Sequence, residues 1–185
     1  MTDPDSCPTQ FDRSRHQNIV LIGMPGSGKS TVGVLLAKRL GLGFVDTDLL
    51  IQERAGRTLQ DIVDNDGYEA LRHIEEQVLL DMEVQGKVIS TGGSAVYSDR
   101  AMAHLKTGGV VVFLDIPLGL VIERIGDHSA RGISRRPDQS LGELFEERLV
   151  LYKRYADVVI DGRGQDQETT CSAVVQALQA QAYSG

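Results

Sequence analysis

Apolar residues recur along this chain in two rhythms. Short, nearly continuous apolar runs closed by glycine or acidic residues predict buried strands over 18–23 (NIVLIG), 43–48 (GFVDTD), 87–91 (KVIST), 109–116 (GVVVFLDI) and 157–161. Runs with apolar residues three and four apart predict helices over 29–40, 58–84, 99–106, 118–125, 141–155 and 167–182. The first helix stops at Gly41, and the second is interrupted around 64–67. Residues 126–139 follow neither rhythm: they are polar, carry three arginines and Pro137, and have no periodic apolar face.

Strands alternating with helices predict an α/β fold, a five-stranded parallel sheet with helices on both faces. Ligands of such sheets bind outside the carboxyl ends of the strands. Here those ends carry glycines and carboxylates.

Composition narrows the picture. A chain of 185 residues fits one domain, taken as 17–185, behind a flexible polar tail over 1–16. No apolar run approaches the roughly 20 residues of a membrane helix, and the tail lacks the apolar core of a secretory signal. Two cysteines, Cys7 and Cys171, make no disulfide framework, and no Cys/His spacing resembles a zinc site. A net charge of -7 argues against nucleic acid as the main partner, though local arginines leave room for an anionic substrate. The expectation is a cytoplasmic, monomeric protein without nucleic-acid or membrane partners.

The strongest chemical signal is Gly23-Met-Pro-Gly-Ser-Gly-Lys-Ser30, directly after a strand and opening a helix. It matches G-x-x-x-x-G-K-[ST], a phosphate cradle. Glycines let the backbone turn tightly and aim N–H groups at phosphate oxygens, and the helix N-terminus adds its positive end. Gly26, Ser27, Gly28, Lys29, Ser30 and Thr31 are the candidate nucleotide-binding residues. Lys29 would neutralise the β- and γ-phosphates, and Ser30 would ligate Mg²⁺.

Asp46 and Asp48 lie at the end of the second strand, two residues apart and so on one face. One can hold a magnesium-bound water and the other can take a proton from an attacking hydroxyl. The alternative for Asp48 is capping of the next helix. Thr91-Gly-Gly-Ser94 exposes backbone where a ligand could approach closely, or is an ordinary turn. Arg72, Arg131, Arg135, Arg136 and Arg148 could pair with carboxylate or phosphate, or could simply be solvated. The four histidines share no motif, and Glu75, Glu76, Glu146 and Glu147 read as solvated helix faces.

Together these motifs resemble the shikimate kinase family, within the nucleoside-monophosphate-kinase-like P-loop proteins. The residues carrying the resemblance are GMPGSGKSTVG (23–33), the FVDTD strand, GYEALRHIE with Arg72, the STGGSAV turn and ERLVLYKRYAD (147–157). The resemblance implies ATP-dependent phosphorylation of shikimate to shikimate 3-phosphate, a step of aromatic amino-acid biosynthesis. It implies Lys29 and Ser30 on ATP and Mg²⁺, Asp46 in the metal's outer shell, and Asp48 as the base facing the acceptor hydroxyl. It implies Arg72 and Arg148 on the acceptor carboxylate, Gly92 and Gly93 lining the pocket, and Arg124 and Arg163 beside adenine. Residues 126–139 would be a short mobile lid whose arginine, Arg131 or Arg136, meets the transferred phosphate.

Three positions depart from the family pattern. Ser94 stands for a third glycine, Leu71 for an aromatic residue, and the lid lacks the usual arginine–proline spacing before Arg148. All three lie on the acceptor side. The alternative acceptor is another small hydroxy acid, such as homoserine or gluconate. A nucleotide-dependent regulatory switch and a nucleoside-monophosphate kinase are alternatives of other classes.

Overall fold

The computed structural model describes residues 18–126 and 132–183. The predicted tail, Cys7 and Arg131 lie outside the described residues. The strands are β1 (Asn18–Ile22), β2 (Gly43–Asp46), β3 (Lys87–Ser90), β4 (Gly109–Asp115) and β5 (Val158–Asp161). The helices are α1 (Lys29–Leu40), α2 (Thr47–Ala55), α3 (Leu59–Asp66), α4 (Tyr68–Leu80), α5 (Asp99–Thr107), α6 (Leu118–Ile125), α7 (Leu141–Tyr155) and α8 (Gln167–Tyr183), with a 3₁₀ turn at Ala95–Tyr97. The five strands form one parallel sheet in the order β2-β3-β1-β4-β5.

The middles of the central strands are apolar because both of their faces are covered. In β1, Ile19 and Leu21 face α1 and α8, packing with Leu36, Val174 and Leu178. Val20 and Ile22 face the other way, towards Leu79, Met102, Leu144 and Tyr152 of α4, α5 and α7. This alternation is the period-2 geometry of a strand, applied to a two-sided core. A smaller cluster of Ile51, Ile62, Leu71 and Val78 binds α2, α3 and α4 into one outlying layer.

Side-chain caps fix several boundaries. Thr58 and Asp61 form a capping box at α3, and Ser140 and Glu143 form another at α7. The predicted interruption of the long second helix falls at Gly67, where α3 ends and α4 begins.

Two elements depart from the sequence reading: helix α2 is not among the expected helices, and α4 ends at Leu80 rather than at 84. The second strand stops at Asp46, and α2 starts at Thr47. Asp46 and Asp48 therefore do not share a strand face. Asp46 is the residue that caps α2, accepting from Asp48 N at 3.0 Å. Pairing of β2 with β3 ends at Asp46 opposite Ser90, so nothing holds Thr47 and Asp48 extended. Among the described residues no helix is long and apolar enough to cross a membrane.

The chain leaves β1 through α1 on one face and β3 through α5 on the other. The carboxyl ends of these neighbouring strands are therefore the switch point of the sheet, where a crevice opens.

Candidate active site

A cavity of about 940 Å³ lies at that crevice. Its nucleotide side is built by the loop between β1 and α1. Gly26 (φ 79°) and Gly28 (φ 91°) adopt left-handed conformations that other residues rarely take. They line the cavity with Lys29, Ser30, Thr31 and Arg124. Ser27 is buried behind the loop. Arg124 of α6 donates to Gly26 O at 3.2 Å, so its side chain lies against the cradle.

Lys29 is only 7% exposed. Its ammonium donates to Gly23 O at 2.8 Å and Met24 O at 2.9 Å. Burial lowers its pKa to about 8, opposed by the negative charge of Asp48. The group remains mostly charged at neutral pH.

Ser30 Oγ donates to Asp46 Oδ2 at 2.6 Å and lies 3.3 Å from Ser90 Oγ. These hard oxygen donors, beside a phosphate cradle, are the chemistry Mg²⁺ takes when it binds through few protein ligands. The residues fit that ion. Asp48, two residues beyond Asp46, is half-buried and faces the cavity. Burial and then the adjacent Asp46 charge raise its pKa above the ordinary carboxylate value, while Lys29 opposes the rise.

The acceptor side gathers residues from distant elements. A Cβ on Gly92 would run into Glu75 Oε1 and lie 2.8 Å from Asp48 Oδ1, and one on Gly93 would lie 2.7 Å from Arg148 Nη1. Only glycine lets two carboxyls and a guanidinium crowd this turn. The turn is pinned from both sides: Gly92 N donates to Thr47 Oγ1, and Tyr152 Oη donates to Gly93 O.

Arg148 is 1% exposed, and its Nη2 donates to Ser134 O at 2.6 Å. Arg72 reaches the same residue from α4, with Nε donating to Ser134 Oγ at 2.9 Å. The Arg72 guanidinium stacks on Tyr97, 3.6 Å from the ring centroid, and Arg148 lies over the same ring at 5.4 Å. The two arginines thus converge on Ser134; Arg148 and Ser134 line the cavity, and Arg72 stands behind them.

Other candidates are not brought to the cavity. Arg136 is exposed and donates to Glu147 Oε2 at 3.1 Å. Arg163 is engaged by Asp161 at the surface. Arg131, the other lid candidate, is outside the described residues.

Glu75 corrects the reading of α4. It is 2% exposed rather than solvated, accepts from Ser94 Oγ through Oε2, and has no partner at Oε1. Its signal was present in the sequence. Leu71, Glu75, Val78 and Leu79 form one helical stripe, and all are buried. Ser134 and Tyr97 carry no comparable sequence mark.

A glycine-rich phosphate cradle at the switch point of a parallel sheet, sharing one cavity with carboxyls and an arginine on its far side, defines a P-loop small-molecule kinase. The comparisons narrow the class. A sequence model of the family described as shikimate kinase matches residues 25–179. A shikimate kinase of Aquifex aeolicus is 36% identical over 90% of this chain and 99% of its own length. Among solved structures, a shikimate kinase from Acinetobacter baumannii in complex with shikimate superposes with a TM-score of 0.83 at 29% identity, covering 90% of this chain and 95% of that one. The Aquifex aeolicus structure gives 0.78 at 35% identity, covering 91% and 99%. The chain belongs to the shikimate kinase family.

Proposed function

We propose that this protein transfers the γ-phosphoryl group of ATP to a hydroxyl of shikimate, giving shikimate 3-phosphate. The observation that carries the reading is the pair Arg72 and Arg148. Both meet at Ser134, Arg148 lines the cavity, and neither has a salt bridge among the described residues. A buried Arg148 beside a half-buried Arg72 calls for an anion, and a guanidinium pair suits a carboxylate. Shikimate offers one carboxylate on a ring of hydroxyls.

Gly26 to Thr31 cradle the phosphates, and Lys29 balances charge that develops on them. Arg124 borders the nucleotide, and Arg163 is assigned to the same side. Ser30, with Asp46, would hold Mg²⁺, which when bound offsets phosphate charge. Asp48 takes the proton of the acceptor hydroxyl as that oxygen bonds to the γ-phosphorus and the bond to the β–γ bridging oxygen breaks. Its raised pKa makes it a better base than an ordinary carboxylate. Gly92 and Gly93 let the acceptor ring approach the backbone. An arginine of the lid, Arg131 or Arg136, meets the transferring phosphoryl group. We also read the protein as cytoplasmic and monomeric, without nucleic-acid or membrane partners; the free, buried Cys171 supports a reducing compartment.

The test is ADP release from purified protein with ATP, Mg²⁺ and a panel of acceptors: shikimate, homoserine, gluconate and a nucleoside monophosphate. Turnover of shikimate well above the others is expected. Preference for another acceptor would refute the assignment, and absence of any turnover would refute the kinase reading.

A further inference from the structure

Ser134 is 2% exposed although it lies in an irregular segment between α6 and α7. Its hydroxyl donates to Tyr68 O at 3.1 Å, which fixes the direction of its proton and leaves the oxygen free to accept from Arg72 Nε at 2.9 Å. Its carbonyl accepts from Arg148 Nη2 at 2.6 Å. One residue therefore holds two guanidiniums that arrive on different helices. Both partners it offers are neutral, so Ser134 itself does not offset the two positive charges. Arg148 also retains a buried Nε with no hydrogen-bond partner.

Two flexible guanidiniums repel each other and would separate if nothing fixed them. Arg72 is held on its face by Tyr97 and on its edge by Ser134 Oγ. Arg148 is held at one end by Ser134 O. A planar fork makes a two-point contact only when its orientation is set, and setting it before the ligand arrives removes an ordering cost from binding. An aspartate at position 134 would fix the same geometry but would neutralise the arginines and compete with the ligand. A serine orients them and leaves their charge for the acceptor.

From this we infer that Ser134 is a positioning residue for acceptor recognition: it sets the Arg72 and Arg148 guanidiniums as a preorganised carboxylate fork. The inference rests on the reading that the acceptor carries a carboxylate.

The experiment compares wild type, Ser134→Ala and Ser134→Thr, with ATP saturating. Each is assayed with shikimate and with the analogue whose carboxylate is replaced by a primary alcohol. Ser134→Ala is expected to raise the shikimate KM about tenfold, equivalent to about 1.4 kcal/mol, with kcat within about twofold. The KM for ATP should not move. The preference for shikimate over the alcohol, as a ratio of kcat/KM, should narrow by a similar factor. Ser134→Thr keeps the hydroxyl and should keep the wild-type KM. A general packing defect would instead lower kcat through the active fraction and leave the discrimination ratio intact. Wild-type turnover of shikimate with an unchanged KM or unchanged discrimination in Ser134→Ala would overturn this inference alone. Turnover only of acceptors without a carboxylate would overturn it together with the proposed function.

Discussion

Replacing Glu75 by glutamine should change how stability depends on pH. Glu75 is buried against Asp48, Arg148 and Lys29, and burial, the largest cause, pushes its pKa from 4.5 up to about 7. The Asp48 charge adds to the rise, while the Ser94 hydrogen bond and the two cations oppose it. At 1.36 kcal/mol per pKa unit, a climb from 4.5 to about 7 corresponds to about 3 kcal/mol. The folded state holds this proton more tightly than the unfolded chain. The associated stability is therefore fully present below pH 4.5 and is lost as pH rises through about 7. Between pH 5 and 8.5 the wild type should lose about 2.5 kcal/mol that Glu75→Gln does not lose.

Urea unfolding of the two proteins without ligand, at half-unit pH steps, reads this difference directly, because the other titrating groups are common to both. The absolute stability of the variant is secondary, since glutamine leaves its own imperfect pairing beside Ser94. What matters is the slope. Ser94→Ala removes a donor that favours the charged carboxylate and should steepen the wild-type slope. Parallel stability curves for wild type and Glu75→Gln from pH 5 to 8.5 would refute the reasoning, and would mean that Glu75 is ionised in the fold throughout.

Other perturbations address the chemistry. Lys29→Ala should abolish transfer while far-UV circular dichroism stays that of wild type, because positioning and charge are nearly all that phosphoryl transfer asks of the protein; turnover at the wild-type rate would remove the phosphate-cradle role. Asp48→Asn should lower kcat by a factor on the order of 10² to 10⁴ with little change in ATP affinity, whereas a collapse of ATP affinity would mark Asp48 as a metal or structural group. Gly92→Ala drives a methyl into Glu75 and Asp48 and should cost about 1–3 kcal/mol by urea unfolding, together with activity; wild-type stability would show that the turn has room. Arg72→Lys keeps the charge but loses the planar contact and the Tyr97 stack, so the acceptor KM should rise, and an unchanged KM would remove Arg72 from the acceptor site.

The nucleotide side was legible in the sequence because its parts are contiguous. One loop supplies the cradle, and the residues flanking it predict the strand and helix that present it; α1, α6 and α7 have the expected bounds. Helix α2, and its start above all, was not legible. Asp46, Thr47 and Asp48 are all good capping residues, so propensity alone does not choose among them. The choice is made by the sheet, since β2 can extend only as far as β3 pairs with it, to Asp46 opposite Ser90. That single tertiary fact turns two carboxylates from neighbours on a strand into a helix cap and a cavity-facing residue.

The acceptor side depends on packing that local sequence does not encode. Arg72 is an ordinary helical arginine until Tyr97 and Ser134, from two other segments, close on it. Glu75 differs, because it interrupts an apolar stripe that already marks the buried face of α4. A carboxylate in such a stripe has few physical outcomes: it finds a partner, keeps a proton, or faces a cavity. Here one oxygen finds Ser94 while the other, unpartnered, lies against Gly92. Ser94 replaces the glycine expected by resemblance, and its hydroxyl is what Glu75 binds. The departure at 94 and the carboxyl at 75 thus act together: the serine supplies the donor that lowers the cost of ionising a buried carboxyl beside the proposed base.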